Sequence, residues 1–159
     1  MEEFYEPSSE FLCKVVRGEI PLSGSEFAQQ NLQLLIAHMS DSDTSNRDWA
    51  TLLLAGQDID TAEVREALLA ATRDEDACVR AEALLGLAER DPILALPLVE
   101  SELERHEVGY GTFQAAHAIA SPTLLNGLRR WCGRGGAPWI DDEINDAIAA
   151  CEAATDRRG

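Results

Sequence analysis

The stretch Asp41 to Leu54 recurs 33 residues later as Asp74 to Leu87, and no other feature of the chain narrows its possible folds as far. Superposing the copies pairs Asp41 with Asp74, Asp43 with Asp76, Arg47 with Arg80, Ala50 with Ala83, Leu52 with Leu85 and Leu54 with Leu87, six identities in fourteen positions. A period of this length marks stacked units, none of which buries its apolar face alone and each of which depends on its neighbours for a core. The apolar spacing inside the copies is helical, and no segment alternates as a strand does. The expectation is an all-α fold, a solenoid of antiparallel helix pairs.

The same spacing sets the expected layout of a single domain over residues 1–159. Residues 1–24 read as an N-terminal cap with a short helix from Ser9 to Arg17 and a break at Gly18 to Gly24. Residues 25–132 read as the repeats. A helix from Ser25 carries the stripe Phe27, Leu32, Leu35, Ile36 and Met39; Trp49, Ala50, Leu53 and Leu54 continue as a second helix, which Gly56 helps stop. Thr61 caps a third, with Val64, Ala67, Leu68 and Ala71 on one face. The next unit has Asp74-Glu-Asp76 as its turn and buries Val79, Ala83, Leu84 and Leu87. Its partner helix starts at Asp91-Pro92, where a proline costs nothing, whereas Pro97 should kink or delay it. A third, weaker unit pairs a helix over Thr112 to Ala120 with one from Ser121-Pro122 that carries Leu124, Leu125, Leu128 and Trp131. Residues 133–138 read as a loop. Residues 139–159 read as a capping helix and tail, with Asp141 or Asp142 capping a helix from Glu143 to about Ala154 and Ile144, Ala147, Ile148 and Cys151 as its stripe.

Charge excludes some functions. The chain has 29 acidic residues against 13 basic ones, a formal net charge of −16, and such a field repels nucleic acid and attracts a basic partner. The N-terminus lacks the basic start and apolar run of a secretory signal, and no run approaches the apolar length that spans a bilayer. The four cysteines are scattered, with no C-x-x-C pair, as in a reduced, cytoplasmic protein.

The unit Asp74-Glu-Asp-Ala-Cys-Val-Arg-Ala-Glu-Ala-Leu-Leu-Gly-Leu-Ala88 resembles the HEAT repeat, in particular the short bacterial form named after phycobilisome lyases, whose signature is D-x-D-x-x-V-R-x-x-A-L-x-x-L. The first copy departs from it at Asn46 and at Trp49-Ala50-Thr51, and the third unit lacks both the aspartates and the arginine. The run from Arg47-Asp-Trp-Ala50 through Val64-Arg-Glu, Val79-Arg and Glu82-Ala-Leu-Leu-Gly-Leu-Ala88 to Thr123-Leu-Leu125 is also similar to HEAT-like immunity proteins of Rhs polymorphic toxins. These resemblances imply a HEAT-like α-alpha superhelix, and a small protein that inactivates a toxin by binding it. The phycobilisome-lyase likeness implies an alternative, an accessory protein that cradles a tetrapyrrole. A HEAT-like DNA glycosylase would need a basic groove, which the charge argues against.

The resemblance implies that the second helix of each unit lines the inner surface. The candidate partner-binding residues there are Glu63 and Glu66, then Glu100, Glu102 and Glu104, with Arg129 and Arg130 reversing the sign in the third unit. Gly109-Tyr110-Gly111 reads as a flexible joint with Tyr110 at its tip, available to anchor a partner. Trp131 and Trp139 read as packing residues. The repeated aspartates and arginines read as helix caps and bridges between turns, because a catalytic constellation is needed once and these recur. His38, His106 and His117 and the cysteines show no metal-ligand spacing. The expectation is therefore no catalytic residue, no metal and no cofactor, and another protein, basic in character, as the partner.

Overall fold

The computed structural model describes residues 5–158, and among them it contains helices and no strand. The helices are α1 (Glu10–Val16), α2 (Ala28–His38), α3 (Thr44–Ala55), α4 (Ala62–Ala71), α5 (Ala77–Arg90), α6 (Pro92–Leu103), α7 (Tyr110–Ile119), α8 (Leu125–Arg130) and α9 (Pro138–Asp156), with a 3-10 turn at Pro122–Leu124 leading into α8.

Four of these helices form a closely packed row in which α3 lies against α5, α5 against α7, and α7 against α9. The others flank it: α2 on α3, α4 on α5, α6 on α5 and α7, and α8 on α9. Within this second row neighbours scarcely approach one another. Small residues explain the close approach in the first. A Cβ on Gly109 would lie 2.7 Å from the Ala77 carbonyl oxygen, and one on Gly111 would lie 2.7 Å from that of Ala81, so only glycine lets α7 settle against α5. Gly109-Tyr110-Gly111 is thus a tight contact that opens α7 rather than the flexible joint expected of it.

The core is continuous from Leu12 at one end to Cys151 at the other and includes Leu54, Leu68 and Leu87 in one cluster. Burial of each such leucine stabilises the fold by about 1.5–3 kcal/mol relative to exposure. Val64, Val79, Ala83, Leu84, Val99, Leu124, Leu128, Ile144 and Ala147 are buried as their spacing predicts.

The repeated polar residues hold the turns. Asp43 and Asp76 are the N-caps of α3 and α5, accepting from the amides of Ser45 and of Cys78 and Val79. Each such cap is worth about 1 kcal/mol. One turn earlier, Asp41 and Asp74 accept from the amides of Asp43 and Asp76. The arginine that follows reaches back and forward at once. Arg47 donates to the Asp41 carbonyl oxygen and, through Nε and Nη2, to both oxygens of Asp74 at 2.9 and 3.2 Å. Arg80 donates to the carbonyl oxygens of Asp74 and Glu75 and to Oε1 of Glu102 at 2.8 Å. In this ladder Arg47 bridges one unit to the next through Asp74, whereas Arg80 ties the two helices of its own unit through Glu102 and reaches toward the next only at the Glu107 carbonyl oxygen.

Three boundaries differ from the sequence reading. α2 begins at Ala28, and Phe27, in the turn before it, is 59% exposed rather than part of the buried stripe. α6 begins at Pro92 without delay and runs on through Pro97. α9 begins at Pro138, inside the expected loop, because proline is suited to the first helical position. Asp141 accepts from the Gly135 amide instead of capping a helix, and Asp142 lies within α9. Of the expected N-terminal cap, residues 1–4 lie outside the described residues, as does the terminal Gly159.

Candidate functional site

The residues expected to bind a partner do not come together. Glu63 and Glu66 are exposed on α4, where Glu63 accepts from Gln29 Nε2 at 3.2 Å. Glu100 is half-buried and accepts from the Thr123 hydroxyl. Glu102 must be withdrawn as a surface residue: it is 3% exposed, with its two oxygens bound to Arg80 at 2.8 Å and Arg105 at 3.0 Å. Glu104 is paired with Arg130, and Arg129 with Glu152 at 3.0 Å. The two arginines therefore do not reverse the sign of the surface; each neutralises an acid already beside it. Tyr110 is half-buried with its ring edge-on to Trp139, centroids 4.8 Å apart. Trp139 is 58% exposed and so is no core residue, packing on Tyr110 at the surface, whereas Trp131 packs against the core, donating to the Leu103 carbonyl oxygen and lying edge-on to Phe113.

A different surface emerges on the open face of the α3, α5, α7 and α9 row. On α3 it carries Asp48, Trp49 and Leu52; on α5, Cys78, Glu82 and Leu85; on α7, Tyr110 and His117; on α9, Trp139 and Glu143. Spacings of three, four and seven place the members of each set on one side of their helix, with Trp49 adjoining Asp48. Leu52 and Leu85 occupy equivalent positions in the two copies, and Leu52 is 40% exposed.

Aromatic pairs stand at both ends of this face. Tyr5 stacks on Trp49 with centroids 5.8 Å apart and donates its hydroxyl to Asp48 Oδ2 at 3.1 Å. Tyr110 and Trp139 form the other pair, beside His117, whose Nδ1 lies 2.7 Å from Glu143. The indole Nε1 of Trp49 is buried with no hydrogen-bond partner among the described residues.

Carboxylates lie between these pairs in unfavourable surroundings. Burial, with the charge of Asp48 adding to it, pushes Glu82 up from 4.5 to about 7. Asp48 is raised too, by burial first and by the charges of Asp76 and Asp74, against the lowering effect of the Tyr5 hydrogen bond. Burial and the surrounding carboxylates, Asp48, Asp76, Glu82 and Glu107, also raise the Cys78 thiol. Tyr5 is pushed up to about 12, by burial and then by Asp48.

Among the described residues no lysine or arginine pairs with Asp48 or Glu82, although Arg17 lines a hollow beside Tyr5 and Trp49. α7 and α9 contain no lysine or arginine, Arg47 and Arg80 are buried in the ladder, and Arg90 is turned to the backbone carbonyl oxygens of Leu54, Ala55, Gln57, Ile59 and Gly86. The sequence reading passed over Asp48, Trp49, Glu82 and Trp139 because it sought the surface on the other helix of each pair. That α7 and α9 carry no lysine or arginine was visible in the sequence; that Arg47, Arg80 and Arg90 are turned away from the face was not.

Chemically, the face suits binding better than bond-making. A raised thiol is a poor nucleophile, since the thiolate is the reactive form. Ser9 Oγ lies 2.9 Å from His38 Nε2, yet the same oxygen caps α1 by accepting from the Leu12 amide. Among the described residues no group of three or more His, Cys, Asp or Glu side chains is placed to hold a metal ion, and no helix is long and apolar enough to cross a membrane.

No family model matches the sequence. Protein YibA of Escherichia coli K12 is 28% identical over 94 residues, which are 59% of this chain and 34% of YibA; the YibA of strain O157:H7 matches to the same extent. The X-ray structure of the E. coli YibA shares the fold with a TM-score of 0.56 at 22% identity, covering 85% of this chain and 54% of that one. The chain thus matches about a third of YibA in sequence and about half of it in structure.

Proposed function

We propose that the chain is a HEAT-like α-alpha superhelix acting in the cytoplasm as a non-catalytic protein-binding module, most specifically an immunity protein that neutralises a toxin by binding it, with a basic protein as its partner. A stack whose members approach more closely on one side bends toward that side. The close packing of α3, α5, α7 and α9 beside a splayed second row therefore favours the first row as the inner, concave surface. This reverses the assignment made from the repeat's resemblance, and it moves the binding surface from Glu63 and Glu66 to Asp48 and Glu82.

The observation that carries the reading is the acidic and aromatic face of that row, which offers half-buried carboxylates and ring surfaces, and whose Asp48 and Glu82 are paired with no cation among the described residues. Such a surface speeds encounter with a basic partner through its field, and its aromatic and leucine side chains slow release.

The test is to recover a partner with tagged protein from the native lysate and to measure the purified pair by titration calorimetry and stopped flow. A 1:1 complex whose association rate falls steeply as salt rises is expected. A salt-independent association rate, or binding indifferent to Trp49→Ala with Trp139→Ala, would overturn the reading.

A further inference from the structure

We infer that the α3–α5 part of the open face seats an arginine-bearing amphipathic segment of a partner protein, the guanidinium lying between the Asp48 and Glu82 carboxylates against the Tyr5 and Trp49 rings, and apolar side chains resting on Leu52 and Leu85. This inference rests on reading that face as a binding surface and goes on to state what it binds.

Four observations converge on it. Asp48 and Glu82 lie on adjacent helices, Glu82 feels the charge of Asp48, and among the described residues neither has a cationic partner. Beyond the Tyr5 hydroxyl, neither carboxylate receives a side-chain hydrogen bond among the described residues, so lone pairs remain for a planar donor. The stacked Tyr5 and Trp49 rings border Asp48, and Tyr5 keeps 59% of its surface open to a further stacking group. Leu52 and Leu85 lie one helical turn along from Asp48 and Glu82, the distance that separates a charged from an apolar residue on one face of an amphipathic helix.

The chemistry favours arginine over lysine. A guanidinium is planar, stacks on aromatic rings, bridges two carboxylates through separate N–H pairs and sheds its water more readily than an ammonium, which a half-buried seat requires. Filling that seat supplies both carboxylates with the counter-charge the chain withholds.

Three fluorescein-labelled helical peptides of about sixteen residues, or four turns, supply defined probes. They share a leucine stripe and differ in carrying arginine, lysine or glutamate on the flanking positions. Anisotropy titrations should rank arginine above lysine by severalfold and above glutamate by about a hundredfold, or roughly 2.7 kcal/mol. The double variant Asp48→Asn/Glu82→Gln should lose about tenfold or more of the arginine peptide's affinity, while Glu63→Gln/Glu66→Gln on α4 should lose none. Thermal melts verify that both variants fold. Equal binding of the arginine and lysine peptides would overturn the choice of arginine. No binding of the arginine peptide, or binding unchanged by Asp48→Asn/Glu82→Gln, would overturn the seat itself. The broader reading fails separately, through the salt and tryptophan tests on the natural partner.

Discussion

Replacing Glu82 by glutamine removes a charge that the folded protein holds at a loss. Burial and the neighbouring Asp48 raise its pKa from 4.5 to about 7, so the folded chain binds this proton more tightly than the unfolded chain does. The sign follows from linkage: stability from this group is fully present below pH 4.5 and is lost as pH rises toward 7. Above pH 7 the ionised carboxylate therefore destabilises the fold, by at most about 3.4 kcal/mol at 1.36 kcal/mol per pH unit. Partial exposure lets water screen the charge, so about 1–3 kcal/mol is expected. Glutamine keeps the shape and never ionises. Urea unfolding of wild type and Glu82→Gln at pH 8 should show the variant more stable by that amount. At pH 5.5, about one unit above the isoelectric point of 4.4, the advantage should fall to roughly half its pH 8 value. An advantage of the same size at both values, or a destabilised variant at pH 8, would refute the account of Glu82 as an ionised group in unfavourable surroundings.

The ladder, the helix contact and the face each offer a further measurement. Arg80→Ala should destabilise the fold by about 3 kcal/mol or more, because it strands the buried Glu102 with Arg105 alone; Arg80→Met/Glu102→Met should cost less than the single change, as chemical denaturation of both will tell. Gly111→Ala forces a methyl to within 2.7 Å of the Ala81 carbonyl oxygen, and a loss of about 1–3 kcal/mol in thermal unfolding is expected from overpacking against backbone. Cys78, exposed but ringed by carboxylates, should react slowly with a disulfide reagent at pH 8 in a Cys13→Ser/Cys132→Ser background, and Asp48→Asn/Glu82→Gln should speed that reaction severalfold; an unchanged rate would mean that the face's field does not reach the thiol.

What the sequence made legible were the features that repeat. Asp43, Asp76, Arg47 and Arg80 declared caps and bridges because a residue needed once per turn recurs once per unit, and the leucine spacing declared which helix faces are buried. Glu102 was legible and misread. Residues two apart do not share a helix face, so Glu100, Glu102 and Glu104 could not all look outward, and Glu102 falls in line with Ala95, Val99 and Leu103 on the buried side. The α9 start was misread for a local reason, since Pro138 closes a run of glycines and loop composition outweighed its role as a first helical residue. Other features were not local at all. Gly109 and Gly111 read as flexible because their reason lies at Ala77 and Ala81, some thirty residues away, and which row bends inward depends on how closely whole helices approach.

The distribution of the acids separates solubility from recognition. Acids kept only to hold a protein in solution are cheapest where water surrounds them, since a half-buried carboxylate loses hydration and gains nothing. Elsewhere on the surface, acids are exposed, hydrogen-bonded or paired with a cation: Asp60 and Asp91 share Arg65, Glu104 holds Arg130, Glu152 holds Arg129, and half-buried Glu100 accepts from the Thr123 hydroxyl. Glu82 is none of these and Asp48 accepts only from the Tyr5 hydroxyl; both are partly withdrawn from water, and neither is paired with a cation among the described residues. A fold selected for stability alone would exchange Glu82 for a neutral residue, because glutamine fits the same space without the penalty. Retaining the charge where it destabilises the free protein is reasonable if something outside the chain supplies the missing cation, and its arrival would then return as binding energy what ionisation costs the unbound state.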